Sequence, residues 1–178
     1  MSRLKEQYKN VAVPALQEEY KYTHELKVPK IEKVTINIGI NTRGDSKLAD
    51  VVLETLVRIS GQRPVSTKAR KSEAGFKIRE GMVVGAMVTI RGGRMWDFLT
   101  KLVDVTFPRI RDFRGIPIAA VDQGGNFNFG FKEHIAFPEI SANEVESLHG
   151  LQVNIKTTAR NQEEGLALFK ALGFPFKK

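Results

Sequence analysis

The sequence predicts an α+β fold: a single domain over residues 1–178, built as a mostly antiparallel open sheet with helices packed on one face and a long basic hairpin loop. Two patterns predict it. Short runs with apolar residues in alternation read as half-buried strands, and longer runs with apolar residues at helical spacing separate them. The order is helix, strand, helix, strand, strand, helix, strand, strand, helix, and no internal repeat or low-complexity tract divides it.

The N-terminal segment, about 1–25, is helical. Leu4, Tyr8 and Val11 fall near helical spacing, and Leu16 and Tyr20 repeat it after Pro14. Proline suits a first helical turn better than an interior, so two short helices or a kink are expected there. KIEKVTINIGI then places Val34, Ile36, Ile38 and Ile40 on one face and Thr35 and Asn37 on the other, a strand with one buried side. Leu48, Val52, Leu56 and Ile59 mark a helical stripe that Gly61 stops. PVSTK and VGAMVTIR read as strands on either side of a basic loop; in the second, Val84, Ala86, Val88 and Ile90 alternate with Gly85, Met87, Thr89 and Arg91.

Met95, Phe98, Leu99, Leu102 and Val103 space a helix expected to stop before Pro108. NFNFGF, with Phe127, Phe129 and Phe131 in alternation, is a short strand; FPEI is a turn; SANEVESL is compatible with a short helix. LQVNIKTT alternates again, with Leu151, Val153 and Ile155 against Gln152, Asn154 and Lys156. Asn161 with Glu164 three residues on has capping-box spacing, and the last helix ends at Gly173 with Pro175 beyond. The outward face of the sheet is expected to carry Thr35, Asn37, Thr89, Arg91, Gln152 and Asn154, a composition suited to RNA.

Composition narrows the partner. Hydrophobic content of 42% and charged content of 27% are ordinary globular usage, so a sizeable core is expected. Lys and Arg number 28 against 20 Asp and Glu, a net charge of +8 with a pI near 9.8. That balance calls for an anionic partner, nucleic acid first and an anionic membrane surface second. The chain has no cysteine, which excludes disulfides, a thiol nucleophile and Cys-ligated zinc. No apolar run approaches the roughly 18 residues that span a bilayer. The N-terminus lacks the apolar core of a signal peptide. A soluble, cytoplasmic protein is expected.

The charge is concentrated. From Gly61 to Arg94 the chain carries Arg63, Lys68, Arg70, Lys71, Lys77, Arg79, Arg91 and Arg94 against only Glu73 and Glu80. Cations spaced along a glycine-punctuated loop between two strands suit a phosphate backbone, whereas a solvated surface mixes the signs more evenly. Phe76 in the middle has two readings, a stacking platform for a base or ribose and a hydrophobic pin holding the loop to the body. PRIRDFRG forms a second cluster, read either as an Arg–Asp pair around Asp112 that fixes a loop or as a protein or RNA contact. His24, His134 and His149 share no metal-ligand or triad spacing and are read as structural or solvated. Asp45, Asp50, Asp97 and Asp104 are expected on polar helix faces without an acid–base partner, and no phosphate-binding or dinucleotide fingerprint is present. No catalytic residues are assigned.

LVRISGQRPVSTKARKS, FKIREGMVVGAMVTIRGGRMWDFL, PRIRDFRG, FPEI and ALGFPF, taken in order, resemble one family from about Val34 to Lys178. It is the large-subunit ribosomal protein that binds 5S rRNA in the central protuberance, conventionally protein number five, in its bacterial form. The resemblance implies an open antiparallel sheet with helices on one side. It implies 5S rRNA contacts at Asn37, Gln62, Arg63, Thr67, Thr89 and Arg91. It places the loop from Ala69 to Glu80 near P-site tRNA, with Lys71, Ser72, Phe76 and Arg79 as candidates. Asp112, Phe113, Arg114 and Glu139 become candidates for a bridge to a protein of the small-subunit head. Large-subunit rRNA and neighbouring proteins of the protuberance are further implied partners; no cofactor, metal, membrane or small-molecule substrate is implied. The chain departs from the family pattern at VDQGGNF, at His149 and Gln152 in LHGLQV, and at Gly93 in RGGRM, all outside the blocks implied for 5S rRNA. The rival readings are an RNA-processing or RNA-modifying enzyme with a basic groove, and an anionic-surface binder.

Overall fold

A computed structural model of the chain describes residues 2–40, 46–140 and 148–177. The short helix expected in SANEVESL falls at 141–147, outside the described residues. The chain is α+β. Its five-stranded sheet has the order β2-β3-β1-β5-β4, from β1 (Ile31–Gly39), β2 (Val65–Lys68), β3 (Val83–Ile90), β4 (Phe127–Phe131) and β5 (Leu151–Thr157). Neighbouring strands run antiparallel. Val65 faces Met87 and Thr67 faces Gly85. The Ile40 N–H donates to the Val84 carbonyl while Gly85 lies against Ile38 and Gly39. The Thr158 N–H donates to the Lys30 carbonyl while Lys156 pairs with Glu32 at 3.3 Å. Asn154 bonds Asn128, and the Thr157 N–H donates to Asn126.

The chain forms two compact units, each drawn from separated stretches: Met1–Val34, Arg91–Phe129 and Asn154–Lys178 in the first, Thr35–Ile90 and Gly130–Val153 in the second. In the first, α1 (Arg3–Gln7) leads through a wide π turn, Tyr8–Ala12, into α2 (Val13–Tyr20). The same device recurs after α4 (Gly92–Lys101), where the π turn Leu102–Thr106 leads into α5 (Phe107–Arg109). In both places a proline, Pro14 or Pro108, falls at the start of the following helix. A proline lacks the N–H that an interior position needs and crowds the carbonyl four residues back; a wide turn before it relieves both conflicts. The helix expected to stop before Pro108 therefore continues to Arg109. It also begins earlier than Met95, at Gly92, so Arg91 is the residue before the helix and not the end of a strand.

Leu4, Leu16, Leu99 and Leu102 are buried in this unit beside an aromatic cluster. Phe127 contacts Phe169 at 5.3 Å and Phe174 at 5.2 Å, and Phe169 contacts Phe174 at 5.0 Å. Such tilted and edge-on pairs add about 0.5–1.5 kcal/mol each beyond their burial. α6 (Gln162–Ala171) starts at the predicted cap, where the Asn161 side chain accepts from the Glu164 N–H at 2.9 Å; the Glu164 carboxylate accepts in return from the Arg160 N–H at 2.9 Å, one residue before the cap residue that a capping box uses. That helix also meets a turn with no space between backbones. A Cβ added to Gly165 would lie 2.5 Å from the Cα of Gly125, itself at φ 73°.

In the second unit α3 (Ser46–Ser60) packs on β3. Val52, Leu56 and Ile59 are buried there with Ile36, Ile38, Ala86, Val88 and Ile90. The helix ends as the sequence predicts, with Gly61 at φ 63° and its N–H donating to the Val57 carbonyl at 2.8 Å.

Gly165→Ala tests the close approach against helix propensity. Propensity alone favours alanine by about 1 kcal/mol, but overpacking against the Gly125 backbone costs about 2–3 kcal/mol. Urea unfolding should show a lower midpoint; a neutral or raised midpoint would contradict the packing account.

Candidate nucleic-acid interface

The interface is built from the end of α3 and the β2–β3 hairpin. The Ser60 hydroxyl donates to the Leu56 carbonyl at 2.6 Å and accepts from the Gln62 N–H at 3.2 Å. With Gly61 left-handed, the chain reverses and delivers Gln62 to the start of β2. There the Gln62 amide donates to the Thr89 carbonyl at 3.0 Å. Gln62 and Thr89, distant in sequence, are thus joined directly. Thr67 sits on the same hairpin opposite Gly85, and Asn37 is exposed on the outward side of β1. Gly85 has no alternative: a Cβ there would lie 2.7 Å from the Ile38 carbonyl and 2.8 Å from the Thr67 hydroxyl. Arg63 and Lys68, both exposed, flank β2.

Beyond β2 the loop closes in two stages. Ala69 and Met82 pair at its base, where the Ala69 N–H donates to the Met82 carbonyl at 2.8 Å and the Gly81 N–H donates to the Ala69 carbonyl at 2.9 Å. At the tip, Glu73 and Ile78 exchange both backbone hydrogen bonds, at 2.9 and 3.1 Å, around the turn Ala74–Phe76 and Lys77 at φ 57°. Between these stages the Ser72 hydroxyl accepts from the Glu80 N–H at 3.0 Å. Lys71, Ser72 and Arg79 are exposed, and Phe76 is 62% exposed. The ring of Phe76 is presented to solvent, so it does not pin the loop to the body.

The cations differ in their pairing. Among the described residues, Arg3 pairs with Asp104, Arg58 with Glu54 at 2.7 Å and Lys156 with Glu32. Arg63, Lys68, Arg70, Lys71, Lys77, Arg79 and Arg91 take part in no such pair among those residues. Positive charge left unneutralised by its own fold, on a hairpin whose backbone is internally bonded, is arranged for an external anion.

Arg91 belongs to the first unit, exposed at the entry to α4, and departs from the strand position expected for it. Asn154 also lies in that unit, where it donates to Asn128. Asn128 in turn reaches Asp122. Burial acts to raise the Asp122 carboxyl, but hydrogen bonds from Asn126, Gly124 and Asn128 outweigh it and hold the group below its ordinary range. Sequence reasoning missed Val65, which is 66% exposed in the middle of the hairpin directly across from Met87. A four-residue strand is too short for its alternation to announce that its valine faces outward.

The residues of the second candidate cluster divide between the two units. Asp112, Phe113 and Arg114 lie in the first unit and Glu139 in the second. Asp112 is exposed at φ 55° and makes no ion pair among the described residues, so the Arg–Asp reading of this loop is overturned. Stacking of Phe113 on Phe107, with ring centres 5.7 Å apart, fastens the loop instead. His134 is 2% exposed and its ring stacks on His149 at 3.9 Å. Burial lowers its pKa, although the His149 backbone and Glu133 act the other way, in keeping with a packed structural histidine. No helix among the described residues is long and apolar enough to cross a membrane.

Known proteins resemble nearly the whole of this chain. Residues 24–79 match the family described as Ribosomal protein L5, and residues 83–176 match the family described as the C-terminus of that same ribosomal protein. A protein of Halothermothrix orenii is 49% identical over 179 residues, covering 100% of both chains. One from Marinomonas sp. is 51% identical over 179 residues with the same coverage. A third, from Desulforapulum autotrophicum, is 50% identical over 178 residues, covering 99% of each. All three carry the name large ribosomal subunit protein uL5.

The two-stage closure predicts a local effect at Ser72. Ser72→Ala should speed hydrogen exchange at the Glu80 amide about fivefold, the equivalent of a net hydrogen bond of about 1 kcal/mol. Global stability should stay within about 0.5 kcal/mol, because the site is exposed. Unchanged exchange would show that the hydroxyl does not hold the loop.

Proposed function

The chain belongs to the ribosomal protein L5 family, and on that premise we propose that this structural, non-enzymatic component of the large ribosomal subunit binds 5S rRNA in the central protuberance. The observation that carries the proposal is the hairpin shoulder. Gln62 is fixed to the Thr89 carbonyl, Thr67 faces Gly85 further along the same hairpin, and Arg63 and Lys68 flank β2 without acidic partners among the described residues. Polar groups held rigidly on a sheet suit the ribose hydroxyls and edges of an A-form groove, while the unpaired cations neutralise phosphates. Asn37 adds a further polar group from β1, and Arg91 a further cation just past β3. Family membership displaces the reading as an RNA-processing or RNA-modifying enzyme.

The same reading assigns the closed tip, Lys71 to Arg79, to the P-site tRNA. Lys71 and Arg79 would meet its backbone and the exposed Phe76 ring would stack on a base or ribose. Ser72 acts there through its grip on Glu80. Asp112, Phe113 and Arg114 are assigned to a bridge with a small-subunit head protein, and Glu139 is a separate candidate for such a contact. Large-subunit rRNA and neighbouring proteins of the protuberance complete the surroundings of this component of the cytoplasmic ribosome.

Binding of 5S rRNA to the purified protein should weaken steeply with salt. The log–log slope should reach several units, since each phosphate contact contributes roughly 0.7 to 0.9. A flat dependence, or failure to select 5S rRNA from total RNA, would sink the proposal.

The two ends of the hairpin should also separate by mutation. Arg63→Ala should weaken binding to isolated 5S rRNA more than Arg79→Ala does, and Arg79→Ala should act on tRNA binding to the assembled particle. Equal effects on isolated 5S rRNA would refute this division.

A further inference from the structure

The centre of the hairpin face does not fit a purely ionic interface. Val65 is 66% exposed, a poor position for an apolar β-branched side chain unless something covers it, and Met87 stands directly across from it, half-buried. Along β2 the next outward position is Thr67, facing Gly85; on the other side, Gln62 is bonded to Thr89. Arg63 and Lys68 bracket this apolar step, exposed and without ion pairs among the described residues. The surface is therefore a flat apolar centre rimmed by polar groups and free cations.

The rim identifies what covers the centre. Unpaired cations at both ends of a four-residue strand suit a polyanion whose charges recur every few ångströms, and the apolar centre then lies against the uncharged part of that polymer between phosphates. In RNA that part is the ribose, whose C–H faces line the wide, shallow minor groove. The geometry points to Val65 and Met87 as a non-ionic seat for ribose faces of the RNA strand whose phosphates Arg63 and Lys68 hold. This assignment rests on the 5S rRNA reading above and adds to it a component of affinity that salt does not screen.

The test is a salt series of 5S rRNA binding with the full-length protein. The variant Val65→Thr with Met87→Gln keeps size and surface position while removing apolar character. It should bind roughly five- to tenfold more weakly than the parent at every salt concentration, with the log–log slope unchanged. Met87→Leu should stay within about twofold of the parent, because apolar area is retained. Arg63→Ala should instead reduce the slope by about 0.7 to 0.9. The inference is overturned if the double variant binds within twofold of the parent, as it would if a protein covered this face, or if its slope falls as the arginine variant's does. Failure of the parent protein to bind 5S rRNA would be a different result, and would refute the function rather than the seat.

Discussion

The hairpin depends on one approach too close for a side chain. β3 lies between β2 and β1, and at Gly85 its backbone is held between the Ile38 carbonyl and the Thr67 hydroxyl, where a Cβ has no room. That contact brings β2 onto β3 in a register with Val65 across from Met87 and Thr67 across from Gly85. From the register follows the position of the shoulder, where Gln62 reaches Thr89, and from the shoulder follows the position of the loop. Residues that α3 and β3 bury on the other side, such as Leu56 and Val88, keep this arrangement facing one way. Val65 and Met87 apart, the outward side of the hairpin is polar because its inward side has used the apolar positions.

Charge is distributed by the same logic. Cations that serve the fold have acidic partners: Arg3 ties α1 to Asp104, and Lys156 of β5 meets Glu32 of β1. Those on the hairpin have none among the described residues, yet their backbone is well ordered by its own hydrogen bonds. Ion pairs on a surface contribute little to stability, so leaving these cations unpaired costs the fold little and leaves their charge available. The basic pI read from composition is in this sense local: a few residues on a short hairpin carry much of the charge that the fold leaves unpaired among the described residues.

Much of this was legible in the sequence, for physical reasons that differ by element. The strands and α3 follow from apolar periodicity, which burial of one face enforces, and the Gly61 stop and Asn161 cap follow from local backbone chemistry. What was not legible depends on contacts between distant residues. Pro108 looked like a terminator because a proline conflicts with a regular helix; a π turn removes that conflict, and nothing local announces it. Arg91 looked like part of β3 by alternation, but Gly92 already begins α4. Asp112 looked like a partner for its arginines, whereas Phe113 on Phe107 holds that loop. The exposure of Phe76 and Val65 depends on how the hairpin sits, which no periodicity over so few residues can report.

The two-stage closure of the loop has a consequence for how such a protein can change. The base is tied by Ala69, Gly81 and Met82, and the tip by the Glu73–Ile78 pair and the Ser72 hydroxyl on the Glu80 N–H. Because the tip's bonds do not borrow from the sheet, its sequence is a cassette. It can be exchanged or retuned without disturbing the register of the strands beneath it. A graft of residues 70–80 between relatives then changes the tip alone, with the strand register beneath it carried over intact.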